Sequence, residues 1–364
     1  MPQLEVARRV GLVVAAMVAM RGLLLAFQVA VKRKKERFSH ALFGSGRSTY
    51  FLCNGESAAR LASVLEEADA TDLHVIFDFD RTLTCADSSQ CHDGLLRVKD
   101  DALAAALAPY WRFSDEGGPP PIRGRPMRAW WDDVHGLLAT HRVSEGALAE
   151  AEAARPAAFR PGAVEALREL ERLRVPTLVV SAGLEHVIRS ALEGAGFSAT
   201  NALEDDLADA ESPTSFRILA NRLEYDAARI VVGAFPDEPV HSGNKKDAYA
   251  RLAPYFAASG DAATRRVLVV GDSVGDASVG DDVPKRRGPA PFAKRERKSR
   301  THCYRPRRRC GVAVGFFDPA NPWGKRAAFE AAFDALLPAN EDLHWLADAL
   351  RNMTSARPGV RQQP

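Results

Sequence analysis

Cysteine is scarce in this chain and falls in no usable pattern. Five residues in 364 (Cys53, Cys85, Cys91, Cys303 and Cys310) make an odd number with no C-x-x-C pair. That argues against a disulfide framework or a zinc knuckle and fits a reducing compartment. No internal repeat is visible, which sets aside repeat architectures. Net charge is nearly absent as well, at +2. The balance hides an asymmetry. Between Pro284 and Cys310 twelve Lys/Arg face one Glu, a local charge of +11, so the rest of the chain carries −9. The body is mildly acidic. With 46% hydrophobic and 26% charged residues, it has ample apolar material for one large or two ordinary domains.

Acid is missing altogether between Glu5 and Glu36, and the same region holds the one long apolar run, Val10 to Val31. Arg8 and Arg9 precede it, and Lys32-Arg33-Lys34-Lys35 follow. Twenty-two residues are long enough to span a bilayer as a helix. Against this, Arg21 sits at the centre, where a cation costs about 2.5–3.5 kcal/mol on insertion scales, and Gln28 weakens the run further. A signal anchor, a cleaved targeting peptide and a surface-lying amphipathic helix all stay open. As an anchor, the segment would contact a membrane through residues 10–31 and its lysines would hold the body in the cytoplasm. As a targeting peptide, it would direct the chain to an organelle.

The rest alternates strands and helices. Leu73–Phe77, Val175–Val180 and Arg266–Val270 are apolar strands, each ending in a short polar or glycine-rich turn before a helical pattern. Such alternation predicts an α/β fold with a parallel sheet covered on both faces, and a ligand site outside the carboxyl ends of the strands. From about residue 95 to residue 161 the pattern is helical with no convincing strand, as expected of a cap inserted after the first strand. Residues 222–235 suggest a short hairpin beside the sheet. Residues 284–310 are basic, poor in aliphatics and expected to be disordered. They read as an exposed loop insertion or an artefact such as a retained intron. A nucleic-acid patch is the lesser reading, and nucleic acid is not expected as a partner. The predicted organisation is an apolar segment over 1–40, a core over 41–94 and 162–352 holding the 284–310 insert, a helical cap over 95–161, and a tail over 353–364.

The chemistry gathers at the strand ends. Asp78-Phe79-Asp80 places two carboxylates on one side of an extended segment. They can hold Mg²⁺, or divide the work of nucleophile and general acid/base. A D-x-D alone is weak evidence. The second strand ends in Ser181-Ala182-Gly183, a hydroxyl and amides leading into a helix, which reads as a phosphate cradle or a plain N-cap. The third ends in Gly271-Asp272-Ser273-Val274-Gly275-Asp276, two acids four apart, or otherwise a capping turn. Asn244-Lys245-Lys246-Asp247 supplies a cation able to neutralise phosphoryl charge, or a solvated charge run.

Four weak signals in this order resemble the haloacid dehalogenase-like hydrolases: D-x-D, Ser, Lys, then G-D-x-x-x-D. In detail, Phe77 to Thr84, Cys91-His92, Trp130-Trp131 with His135-Gly136-Leu137-Leu138, Val180 to Gly183, Asn221 to Asp226, Asn244-Lys245 and Gly271 to Asp276 look like the cytosolic 5′-nucleotidase III (pyrimidine 5′-nucleotidase) family. The resemblance implies a Rossmann-like core, a helical cap after the first motif, Mg²⁺ dependence, a cytoplasmic catalytic domain, and hydrolysis of nucleoside 5′-monophosphates of the pyrimidine or 7-methylguanosine type. It also implies the roles. Asp78 is nucleophile and metal ligand. Asp80 is general acid/base, with its backbone carbonyl on the metal. Asp272 completes the metal ligands and Asp276 supports it. Ser181, the Ala182 backbone and Lys245 hold the phosphate. Trp130 and Trp131 offer faces for the base, although tryptophans at helical spacing are more often core.

The sequence departs from the family at Ala129, where a glutamate is common. Asp132 and Asp133 share that helix face and could replace it. The loop from Thr84 to Gln90 is also shorter than expected. The rival functions are another small-molecule phosphatase of the superfamily, such as one acting on phosphoserine, or a membrane- or RNA-binding protein on an inactive body.

Overall fold

The computed structural model describes residues 51–52, 57, 60–61, 64–65, 73–111, 127–202, 216–235, 240–250, 266–279, 311–319 and 326–353. The chain divides into two units, Met1–Ser48 and Thr49–Pro364, and every described residue belongs to the second. The apolar run 10–31 and the basic block 284–310 therefore lie outside the described residues. Among the described residues no helix is long and apolar enough to cross a membrane.

The core is a nine-stranded sheet in the order β1-β9-β8-β7-β2-β3-β5-β4, with β6 beside β5. Its strands are β1 (Phe51–Leu52), β2 (Leu73–Phe77), β3 (Thr177–Leu184), β4 (Ala199–Asn201), β5 (Phe216–Tyr225), β6 (Val231–Phe235), β7 (Arg266–Gly271), β8 (Gly311–Phe317) and β9 (Ala335–Pro338). All neighbours run parallel except the edge pair β1–β9 and the hairpin β5–β6. The central strand β2 is buried along its whole length, which explains its apolar sequence, interrupted by the buried His74 alone. Phe77 stands opposite Val179 of β3 on one side and Val270 of β7 on the other. The chain leaves β2 toward β3 and only later returns to β7. The strand order thus reverses around β2, and a crevice opens at its carboxyl end.

Helices cover the sheet by their apolar stripes. In α4 (Ala163–Leu173) the buried positions Ala163, Ala166, Leu167, Leu170 and Leu173 recur at helical spacing, and this face packs on α9 (His344–Asn352). Between β2 and α4 the described segment carries three α-helices and no strand of the sheet: α1 (Asp101–Trp111), α2 (Met127–Thr140) and α3 (Glu145–Ala153). Its two connections to the core run side by side. The Cys85 amide donates to Ala158 O (2.9 Å) and Thr84 bridges Phe159. The β5–β6 hairpin does more than border the sheet. Val231 N–H donates to Val143 O and Glu145 N–H to Arg229 O, each at 2.9 Å, which ties the hairpin to the helical insert.

Candidate active site

Asp78 follows β2 directly, and its amide donates to Val270 O of β7 at 3.0 Å. The carboxylate is 6% exposed. Lys245 opens a short helix, α6 (Lys245–Ala250), and its buried ammonium donates to Asp78 Oδ1 and Asp276 Oδ1, both at 2.6 Å. Asp276 is held in turn through Oδ2, which accepts from the Ser273 amide (2.8 Å) and hydroxyl (2.7 Å). The capping and functional readings of Gly271–Asp276 are therefore compatible: one oxygen of Asp276 fixes the turn and the other faces the lysine. This turn presses on the loop before α6. A Cβ on Gly275 would stand 2.0 Å from Ser242 O. Gly275→Ala should push the loops apart, costing about 1–3 kcal/mol of stability on overpacking grounds and weakening the Lys245–Asp276 pair. A melting curve alongside phosphatase activity checks this; a variant unchanged in both would show that the close approach is dispensable.

The carboxylates of Asp78, Asp272 and Asp276 bring oxygens within 4.8 Å of one another. Three acids against one ammonium leave two negative charges uncompensated. Burial, and then the charge of Asp276, raise Asp78 against the opposing pull of Lys245, to about 6. Asp272 lies well above the ordinary carboxylate value through burial and the charges of Asp78 and Asp276. Burial acts to lower the Lys245 ammonium, but the two carboxylates more than offset this and keep it charged. The donor set is all oxygen, carries excess negative charge and is largely desolvated. It fits a hard divalent cation such as Mg²⁺, whose charge would stabilise the ionised acids.

Asp80 sits one residue into an irregular turn, Phe79–Leu83, closed by the Thr84 amide on Phe79 O at 3.1 Å. Asp80 is extended (φ −63°, ψ 128°) and Arg81 is left-handed (φ 59°), so the chain reverses sharply after the second acid. Asp80 Oδ1 accepts the Cys91 amide at 3.0 Å. Burial, reinforced by the charge of Asp78, pushes Asp80 up to about 7. That lies near neutral pH, where a general acid/base works best.

Ser181 and Ala182 lie where the β3–β5 register breaks, between Val180 and Leu184. Ser181 Oγ is buried and accepts the Gly183 amide at 3.0 Å. Asn221, a buried amide at the end of the Ile218-Leu219-Ala220 stretch of β5, joins the phosphate-loop candidate to the segment that carries Lys245. Its Nδ2 donates to Ala182 O (2.8 Å) and Val240 O (2.9 Å), and its Oδ1 accepts from Val240 N–H (2.7 Å). A polar amide directly after the apolar stretch Ile218-Leu219-Ala220 was the available signal for it.

Trp130 and Trp131, on α2, are 9% and 8% exposed. Their ring centroids are 4.3 Å apart, and His92 stands 4.2 Å from Trp131. Trp130 Nε1 donates to Tyr110 O. The pair is packed rather than presented as open faces. Among the described residues, Trp131 Nε1, His92 Nε2 and His135 Nε2 are buried without hydrogen-bond partners. Burial keeps both imidazoles neutral, His135 at about 4 and His92 well below its ordinary value. Asp133 accepts from Tyr110 and Asp132 pairs with Arg128.

Residues 122–288 match the profile of the family described as pyrimidine 5′-nucleotidase (UMPH-1). Over that stretch, a little under half of the chain, the sequence is similar to the pyrimidine 5′-nucleotidase family. The matched stretch holds Trp130, Trp131, Ser181, Lys245, Asp272 and Asp276, while Asp78 and Asp80 precede it. A 7-methylguanosine phosphate-specific 5′-nucleotidase of Gallus gallus is 24% identical over 251 residues, covering 65% of this chain and 81% of the relative. The Homo sapiens protein of that name is 22% identical over 250 residues, covering 65% and 78%. In three dimensions the fold resembles the crystal structure of cytosolic 5′-nucleotidase IIIB (cN-IIIB) bound to cytidine. The TM-score is 0.59 at 18% identity, over 85% of this chain and 95% of that one.

Proposed function

We propose that this chain is a Mg²⁺-dependent 5′-nucleotidase, a phosphoric monoester hydrolase that cleaves nucleoside 5′-monophosphates to nucleoside and phosphate through an aspartyl-phosphate. The observation that carries the reading is the convergence of Asp78, Asp272, Asp276 and Lys245 at the carboxyl ends of the central strands. The family match and the names of the curated relatives favour a nucleotide as substrate.

Asp78 attacks phosphorus while Asp80 gives its proton to the departing 5′-oxygen. Phosphate is thereby transferred to the Asp78 carboxylate and nucleoside leaves. Asp80, now ionised, takes a proton from water, which hydrolyses the acyl phosphate and frees Asp78. Asp78, the backbone carbonyl of Asp80 and Asp272 would hold the cation, with Asp276 supporting them. When bound it supplies charge neutralisation and a template for in-line attack. Ser181, the Ala182 backbone and Lys245 would hold the phosphate, with Lys245 turning from its carboxylate partners toward the incoming anion. Trp130 and Trp131 would need a repacking of their cluster to stack on a base. The neutral His92 and His135 then offer uncharged hydrogen bonds beside them. We place the catalytic body in the cytoplasm, as for the relative named cytosolic.

The test is phosphate release from CMP, UMP, 7-methyl-GMP and phosphoserine, with Mg²⁺ and with chelator, alongside a melting curve. Mg²⁺ should raise the melting temperature, and at least one nucleotide should turn over only in its presence. Phosphoserine as the preferred ester would move the protein to another branch of the superfamily. Undiminished turnover in chelator would remove the metal from the mechanism.

A further inference from the structure

Arg160 is 2% exposed, yet none of the ion pairs among the described residues includes it. Its donors go to main-chain carbonyls instead. Nε donates to Thr82 O (2.8 Å), one terminal nitrogen to Arg81 O, and the other to Ala339 O (2.7 Å) and Glu341 O (2.5 Å). Its own amide donates to Leu83 O at 2.8 Å. Three consecutive carbonyls of the turn after Asp80 are thus gripped by one residue. Beneath the guanidinium lies the Phe316 ring, 3.8 Å from Cζ to the centroid, at the end of the parallel strand β8. Burial lowers this group to about 10, against the opposing charges of Cys85, Asp272, Asp342 and Glu341.

The turn needs such a grip. Arg81 holds a left-handed conformation that a side chain with a Cβ disfavours. Residues in unfavourable backbone regions persist where their surroundings over-determine them. Arg160 is also the point at which the chain returns from the helical insert, directly after Phe159, the bridge partner of Thr84. A planar fork can satisfy several carbonyls in different directions; a lysine ammonium cannot reach them all.

We propose that Arg160 is a positioning residue: by clamping the carbonyls of Arg81, Thr82 and Leu83 against the 339–341 segment, it aims the Asp80 carboxyl at the leaving-group oxygen. The proposal rests on the reading of Asp80 as general acid. It predicts a signature that plain destabilisation lacks. An ester with a poor leaving group needs the acid, whereas p-nitrophenyl phosphate, with a good one, needs little of it.

The test is kcat/KM of the full chain with Arg160→Lys on CMP and on p-nitrophenyl phosphate, measured well below the melting temperature, with Asp80→Asn in parallel. Misplacement of a catalytic group by an ångström can cost about 100-fold, so Arg160→Lys should lose about tenfold or more on CMP and under about threefold on p-nitrophenyl phosphate. Asp80→Asn should show the same selectivity more strongly, about 10²–10⁴-fold on CMP. If Asp80→Asn is selective and Arg160→Lys loses equally on both esters, or loses only melting temperature, the positioning role is overturned. If Asp80→Asn itself is unselective, the role of Asp80 falls and the proposal with it. Should Arg160→Lys not fold, Phe316→Leu, which removes the ring beneath the guanidinium, takes its place with an expected loss of about threefold confined to CMP. Equal losses on both esters then overturn it.

Discussion

Asp78→Asn should lower turnover of the best nucleotide by about 10⁴-fold or more, the scale set when a covalent nucleophile is removed. The amide keeps the shape of the side chain but cannot attack phosphorus. The fold should not suffer. Asp78 is one of three carboxylates crowded around a single ammonium, and burial already holds it above its ordinary value. Replacing it by a neutral isostere removes a repelling charge, so the metal-free protein should melt at the wild-type temperature or above. The rise in melting temperature on adding Mg²⁺ should shrink, because one ligand charge is gone. Activity within about a hundredfold of wild type would rule Asp78 out as the nucleophile, since electrostatic support of the transition state is worth about that much by itself.

Lys245→Met should have the second largest effect, and it should appear in stability as well as rate. Lys245 bridges Asp78 and Asp276 from a position 4% exposed, and its removal leaves the acids without a counter-charge. Breaking one side of a buried pair costs about 3–5 kcal/mol. The loss should be smaller here, because the acids can take up protons instead. Mg²⁺ should restore part of it. Activity should fall about 10²–10³-fold even with saturating Mg²⁺, as when one donor to a developing anion is deleted. A variant that melts and turns over like wild type would mean that Lys245 is a bystander to both cluster and phosphate.

Much of the site was legible from residue order. Leu73–Phe77, Arg266–Gly271 and the β3 run are buried along nearly their whole length, and such strands are predominantly apolar. The polar residues that end them therefore stand out without any knowledge of their neighbours. Asp78, Ser181 and Asp272 were singled out this way, and Lys245 by its place in the order of motifs. Asp276 was read as a supporter of Asp272; the structure also bonds it to Lys245, 31 residues earlier in the chain. The tryptophans were legible as a pair but not as a packed cluster with His92. Arg160 was invisible, since its partners are main-chain carbonyls and carry no residue identity.

The sequence by itself determined the three central strands β2, β3 and β7, their polar ends and the helical character of the insert, because these depend on burial patterns along the local chain. Only the tertiary structure decided that Lys245 meets Asp78 across 167 residues, that Arg160 grips the turn after Asp80, and that the β5–β6 hairpin docks on the insert. Those contacts follow from strand order and register. Order and register emerge when the whole sheet closes, and no local pattern of side chains records them.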